Sequence, residues 1–273
     1  MPIFAPAPVG SRAHPALAGL FCARQDRGWS LYQNSSKGNM TNHNVSTEWH
    51  DDQALFALLR RELFTAVVGD VMDAAGLRQQ FLPAGIQPLR EDMLVVGRAM
   101  PVLEADSEGQ QVAVLGKRQP FGLMFEALDN LKPGEVYICA GGTPDYARWG
   151  ELMSTRALKL GAAGAVVDGP SRDTRGILRL NFPTFSTGRY AQDQGIRGRV
   201  VDFRCPLRFA NGARVQPGDI VFGDIDGVVI VPREHEADVV TAALEKVRGE
   251  NKVRKAIEAG MSTREAFDTY GIM

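Results

Sequence analysis

Two short segments carry the residue types from which a reactive centre could be assembled. The first is Gly150-Glu151-Leu152-Met153-Ser154-Thr155; the second, a helix length further on, is Val166-Val167-Asp168-Gly169-Pro170-Ser171-Arg172-Asp173. The first reads as a helix start. Free backbone N–H groups there attract anions, so the amides of Glu151, Leu152 and Met153, just past Gly150, suit a carboxylate. The second reads as a buried strand ending in a loop with adjacent arginine and aspartate. Asp173 is a hard oxygen ligand suited to Mg²⁺ or Mn²⁺, ions that keep several waters and take one or two protein carboxylates. Arg172 offers a planar fork to a carboxylate or an enolate oxygen. Each segment also has a plainer explanation: an acid at a helix start favours the dipole, and Arg172-Asp173 could be a loop ion pair. The position of the pair after an apolar strand, where ligand sites of open sheets gather, raises the functional reading.

Other candidates are weaker. His14, His43, His50 and His235 never reach metal-ligand spacing, so a histidine-based zinc site is not expected. Gly116-Lys117-Arg118 misses the phosphate-loop pattern, and no GxGxxG follows a strand. No GxSxG occurs, and Ser154 and Ser171 have no evident histidine partner. Asp224-Ile225-Asp226-Gly227 reads as a turn ahead of a buried strand more readily than as a cation site. Asp70 and Asp73, one helical turn apart, read as surface or capping acids. Lys159 sits mid-helix and would need desolvation to form a Schiff base, so it reads as solvated surface.

These segments need a scaffold, and the pattern around them supplies one. Leu55, Leu58, Leu59 and Leu63 fall at helical spacing, and Thr65 is placed to cap a second helix reaching Met72. Strand-like runs are expected at 94–103, 136–139, 183–187, 199–203, 217–222 and 228–231. A helix is expected over 121–131, ending at Lys132-Pro133-Gly134, and Gly161 and Gly164 end the helix that begins at Gly150. A long helix is expected from about 234 to 259, and Ser262 with Glu265 forms a capping box for a final short one. This mixture suggests an α/β or α+β domain with a central, partly closed sheet flanked by helices.

The 273 residues allow one large domain with a real core. Residues 1–45, rich in Pro, Gly, Ser and Asn and without period, read as a disordered N-terminal extension, with Met40 as an alternative start. Residues 46–273 read as the domain proper. The formal net charge of −1, with charges interspersed, gives no footing for nucleic acid or a membrane surface. No apolar run approaches the roughly 20 residues of a membrane helix, and no signal peptide is expected. Cys22, Cys139 and Cys205, odd in number and widely spaced, fit a reduced, cytoplasmic setting.

Taken together, Gly150-Glu151-Leu152, Gly161-Ala162-Ala163-Gly164, Asp168-Gly169 and Arg172-Asp173 resemble the RraA-like family, which includes 4-hydroxy-4-methyl-2-oxoglutarate/4-carboxy-4-hydroxy-2-oxoadipate aldolases and the regulator of ribonuclease activity A. The resemblance continues through Pro217-Gly218-Asp219, Asp224 to Pro232, Glu250 to Arg254 and Tyr270-Gly271-Ile272, covering roughly residues 50 to 273. It implies a swivelling β/β/α fold assembled as a homotrimer or homohexamer, and a divalent-metal site for pyruvate-enolate chemistry on a 2-oxo acid. By position, Asp173 would ligate Mg²⁺ or Mn²⁺ directly, and Arg172 would contact the pyruvyl group. The amides of Leu152 and Met153 would hold its carboxylate. Glu151 stands where the family commonly has Asp against a metal-bound water, and Glu250 matches an outer-shell glutamate contributed by a neighbouring subunit. Tyr146-Ala147-Arg148-Trp149 departs from the better-known aldolases and could line a different pocket. The activity implied is cleavage of a 4-hydroxy-2-oxo acid to pyruvate and a carbonyl product, with oxaloacetate decarboxylation alongside. The resemblance leaves two other readings: a non-catalytic regulator of ribonuclease, and a sugar-acid lyase or dehydratase sharing the enolate site.

Overall fold

A computed structural model describes residues 47–107 and 121–271, together with the backbone of 113–114 and 117–118. The described residues lie in a unit spanning Asn44–Met273. The extension expected over residues 1–45 and the Gly116-Lys117-Arg118 side chains lie outside the description. The chain opens with α1 (Asp52–Glu62) and α2 (Thr65–Ala74), followed by β1 (Gln87–Pro88), β2 (Val95–Asp106), β3 (Ala113–Val114) and β4 (Lys117–Arg118). Next come α3 (Met124–Asp129), β5 (Glu135–Ala140), α4 (Glu151–Lys159), β6 (Gly164–Val167), α5 (Thr174–Leu180) and β7 (Thr184–Ser186). The remainder is β8 (Gly198–Phe203), β9 (Leu207–Arg208), β10 (Arg214–Val215), β11 (Ile220–Asp224), β12 (Gly227–Val231), α6 (Glu236–Glu258) and α7 (Thr263–Tyr270).

One sheet dominates, in the order β1-β7-β6-β5-β2-β11-β12, with β8 also paired to β2. Strands β2, β5, β6 and β7 run parallel, with α3, α4 and α5 between them in the chain, whereas β11 and β12 form an antiparallel hairpin. The long strand β2 serves two partners on one edge, β11 along Val95–Arg98 and β8 along Val102–Asp106. Residues 80–82 then close the curve. Leu82 N donates to Val228 O at 2.9 Å and Ile230 N to Gln80 O at 2.8 Å, so this segment lines β12 while β1 pairs with β7. The result is a nearly closed, barrel-like sheet flanked by helices.

Period-two alternation divides the apolar side chains between two cores. Val96, Ile220, Phe222, Val229 and Val231 pack beneath α1, α2 and α6. Their neighbours Val95, Val221, Val228 and Ile230 face the other core, which also takes in Met124, Ala157 and Ile177 from α3, α4 and α5. Strands β5 and β6 are buried throughout, as parallel strands covered on both faces are.

Several expectations need correction. Thr65 is the first residue of α2 and not its cap; Phe64 precedes it without a side-chain bond. The cap comes from Asp224 in the β11–β12 turn, whose carboxylate accepts from Thr65 N at 2.8 Å and Thr65 Oγ1 at 2.6 Å. It also accepts from Asp226 N, which gives the Asp224–Gly227 turn a structural purpose. The helix expected over 121–131 is only α3, because Phe121 and Gly122 both have positive φ and cannot start it. Ser262 does cap α7, accepting from Glu265 N at 3.2 Å.

Candidate active site

Strand β5 delivers the chain to residues 146–150, and β6 delivers it to residues 169–173. These two loops are laced together by backbone hydrogen bonds: Arg148 N donates to Pro170 O and Arg172 N to Trp149 O, both at 2.9 Å. A third segment joins them. Ser171 N donates to Gly188 O, Tyr190 N to Ser171 O and Ala147 N to Gln192 O, at 2.8–2.9 Å. The sheet thus fixes three loops side by side at the carboxyl ends of its parallel strands, where open sheets bind ligands.

The start of α4 is held by Trp149 and Ser154. The Trp149 indole donates to Ser154 Oγ at 2.7 Å, and Ser154 Oγ donates to Gly150 O at 3.0 Å. Ser154 is therefore spent on positioning the helix. The Trp149 ring rests against Tyr137 and Phe182. Gly150 caps α4 in extended backbone that any residue could adopt, so the need for glycine is spatial. A Cβ there would lie 2.9 Å from Asp173 Oδ2 and 3.6 Å from Arg172 Cγ. The missing side chain is what brings the Arg172-Asp173 pair against the helix start.

Asp173 itself occupies the left-handed region at φ 54° and opens α5. Aspartate tolerates that conformation better than most residues, since its short side chain bonds locally. Its Oδ2 is 3.8 Å from Arg172 Nε, too long for a hydrogen bond, and the side chain is about half exposed. Arg172 Nη2 lies 3.2 Å from Asp193 Oδ1, on the third segment. Glu151 lies along α5, packed against Gly176, where an added Cβ would come within 2.1 Å of the Glu151 carboxyl carbon. Arg179 Nη2 reaches its Oε1 at 3.4 Å.

These groups surround a cavity of about 450 Å³ whose lining includes Gly150, Leu152, Met153, Arg172, Asp173 and Asp193. Among the described residues no three His, Cys, Asp or Glu side chains converge as a closed metal cage. The donors are oxygen alone, with Asp173 Oδ2 over the space that a Gly150 side chain would fill. That set fits an ion such as Mg²⁺ or Mn²⁺, which takes few carboxylates and keeps its waters.

Beneath this surface lies a buried charge pair. Arg148, which also lines the cavity, is 1% exposed and Glu104 on β2 is 2% exposed. Burial pushes the Glu104 carboxyl up to about 7, with Arg148 pulling the other way. Burial likewise raises Asp168, on the loop after β6, against the pull of Arg148. Glycine at 169 leaves room for this arginine, since a Cβ would meet its Cδ and Nε at 2.8 Å.

Of the residues singled out from sequence, Gly150, Leu152, Met153, Arg172 and Asp173 are brought to one cavity, with Glu151 at its edge on the neighbouring helix. Glu250 sits elsewhere in the chain, on α6, 3.7 Å from Lys246. Ala147, Arg148 and Trp149 do line the cavity, although Tyr146 through Trp149 are themselves buried. Asp193 and Glu104 were not anticipated. Asp193 lies in a loop without period and Glu104 one residue past the strand-like run of 94–103, which the structure extends to Asp106, so neither carried a local signal.

The RraA-like family model, described as "Aldolase/RraA", matches residues 65–230. A protein of Halalkalibacterium halodurans named "Putative 4-hydroxy-4-methyl-2-oxoglutarate aldolase" is 33% identical over 211 residues, covering 76% of this chain and 90% of that one. "Protein DlpA" of Legionella pneumophila is 30% identical over 207 residues; the matched part is 76% of this chain but 32% of that protein, so the chain spans about a third of that relative. A solved structure of an uncharacterized protein from Pseudomonas syringae pv. tomato superimposes with a TM-score of 0.69 at 29% identity, covering 84% of this chain and 100% of the other. Fold and site together define a barrel-like α/β protein with an oxygen-donor and arginine centre at its strand ends. The chain belongs to the RraA-like family.

Proposed function

We propose that the chain is a divalent-metal-dependent aldolase that cleaves the C3–C4 bond of a 4-hydroxy-2-oxo acid, giving pyruvate and a carbonyl product. The observation that carries this reading is the contact at Gly150, where the absent side chain sets the α4 start, Asp173 Oδ2 and Arg172 around one cavity. Asp173 would hold Mg²⁺ or Mn²⁺, with Glu151 reaching a coordinated water. When bound, that ion supplies Lewis-acid polarisation of the 2-oxo group. The amides of Leu152 and Met153 receive the substrate carboxylate at the positive end of α4. Arg172, steadied by Asp193, answers the negative charge that grows on the enolate oxygen as the bond breaks. Protonation at C3 then gives pyruvate. Oxaloacetate would lose CO₂ through the same enolate. The family resemblance supports assembly as a homotrimer or homohexamer, with Glu250 acting from a neighbouring subunit.

The arginine and aspartate set into a cavity favour this reading over a non-catalytic regulator of ribonuclease. The test is pyruvate release from a panel of 4-hydroxy-2-oxo acids after chelation and after Mg²⁺ or Mn²⁺ is restored. Activity should vanish with chelator and return with metal, and borohydride should trap nothing on Lys159. Full turnover in chelator, or in Asp173→Ala, would overturn the proposal.

A further inference from the structure

The loops bring Arg148, Arg172, Asp173 and Asp193 to the cavity and its helices bring the paired Arg156 and Asp129, but the rest of the helical wall is apolar. Phe121, Met124, Phe125 and Leu128 enter it from α3 and the turn before it, and Leu152 and Met153 from α4. This wall is built at a cost. Phe121 has φ 69°, a region that bulky side chains avoid, and such residues gather at functional sites. Backbone bonds hold it there: Val200 N donates to Phe121 O at 3.0 Å and Leu123 N to Val200 O at 2.9 Å. Gly122 permits the approach, since a Cβ would lie 2.1 Å from Val200 O. The outcome is an edge-to-face pair between Phe121 and Phe125, centroids 5.8 Å apart.

Among the described residues, each arginine at the cavity already faces a carboxylate. Arg156 Nε is 2.7 Å from Asp129 Oδ1, Arg172 Nη2 is 3.2 Å from Asp193, and Arg148 Nε is 3.4 Å from Glu104 Oε2. With Arg172 assigned to the pyruvyl end, a second carboxylate on the substrate would meet an apolar wall or have to displace a partner carboxylate, and unpaired burial of a charge is costly.

We propose that the substrate of this site carries an apolar group at C4, aromatic or bulky aliphatic, so that the carbonyl product is a hydrophobic aldehyde or ketone. This rests on the aldolase reading above. In the reaction the C3–C4 electron pair passes to the enolate and the C4 hydroxyl loses its proton as C4=O forms. One proton returns to C3, so the step needs no oxidant or reductant.

The test compares two substrates that differ at C4, 4-hydroxy-4-phenyl-2-oxobutanoate and 4-hydroxy-2-oxoglutarate, with Mg²⁺ or Mn²⁺ present. The phenyl substrate should be favoured in kcat/KM by at least about tenfold, the scale on which apolar pockets discriminate. Phe125→Arg, at a half-exposed position, should erase or invert that preference, while Phe125→Ala should raise KM for the phenyl substrate more than it lowers kcat. Equal turnover, or preference for the carboxylate substrate, overturns the inference and leaves the aldolase reading standing. Pyruvate from neither overturns both.

Discussion

Arg148 Nε and Glu104 Oε2 face one another at 3.4 Å with both side chains 1% exposed, and neither Arg148 Nε nor Nη1 has a hydrogen-bond partner. The Arg148 guanidinium is tied only at Nη2, to Thr143 O at 2.7 Å. A buried ion pair so sparsely bonded returns little of its desolvation cost. Its value lies in position: the pair joins β2 to the loop that begins α4.

Glu104 makes stability depend on pH. Burial lifts its carboxyl from an ordinary 4.5 to about 7, against the opposing pull of Arg148 and the Cys139 thiol and with Asp106 adding to the rise. The folded state therefore holds this proton more tightly than the unfolded chain does. Its contribution is fully present below about pH 4.5 and is lost as pH rises through about 7, on the order of 3 kcal/mol in all. Urea unfolding at about pH 5 and about pH 7.5 should show wild type losing stability relative to Glu104→Gln over that interval. A difference that grows the other way would refute this.

Removing the arginine is a separate matter. Well above pH 7, where Glu104 is ionised, Arg148→Met leaves its carboxylate buried without a countercharge, a loss of up to about 3–5 kcal/mol. The double variant Glu104→Gln, Arg148→Met should recover much of that loss. Unfolding free energies of the four proteins around this cycle provide the check, and additivity would show that the two groups do not communicate.

Gly150 isolates the geometry of the site from its stability. Because the backbone there is extended, alanine brings no conformational strain, only a Cβ 2.9 Å from Asp173 Oδ2. Gly150→Ala should shift Asp173 and Arg172 and lower kcat/KM by at least about a hundredfold, as misplacements near 1 Å do. Its unfolding midpoint should move little. Loss of fold in place of loss of activity would contradict the steric account.

Asp173 calls for a particular substitution. Alanine would add strain at φ 54°, whereas asparagine accepts the left-handed region and removes only the charge. Asp173→Asn should keep its thermal midpoint and lose Mn²⁺ binding by titration calorimetry, along with metal-dependent pyruvate release. Wild-type Mn²⁺ affinity in this variant would remove Asp173 from the metal's ligands.

The parts of this site that could be read from sequence are those with local causes. Leu55, Leu58 and Leu59 at helical spacing do become the buried face of α1. Gly161 does follow the end of α4, whereas Gly164, read as part of the same stop, opens β6, where a Cβ would press on Val95 Cγ2 at 2.7 Å. The Gly150 and Arg172-Asp173 segments carried their own chemistry and their own punctuation. Partnerships across the chain left no such trace. Glu104 shares a strand face with Val102 and reads as a strand nearing solvent, because its partner Arg148 arrives from beyond β5. Thr65 reads as a cap because nothing local reveals that Asp224 fills that place.

Asp193 is the sharpest case of such a hidden partner. It reaches the site because bridges at Ala147 and Ser171 tie its segment to two loops distant in sequence. Its carboxylate steadies the Arg172 guanidinium at 3.2 Å, with both side chains about two-fifths exposed, so the pair adds little to stability. Its effect should instead appear in turnover, through the aim of the arginine at the developing enolate charge. Asp193→Asn, which retains an acceptor oxygen, should lose less activity than Asp193→Ala, which should fall by about tenfold to a hundredfold in kcat, short of the loss expected on removing a charge-stabilising donor outright. Mn²⁺ affinity and the unfolding midpoint should stay near wild type in both. If Asp193→Ala weakens Mn²⁺ binding as severely as Asp173→Asn, then Asp193 belongs to the metal and not to the arginine.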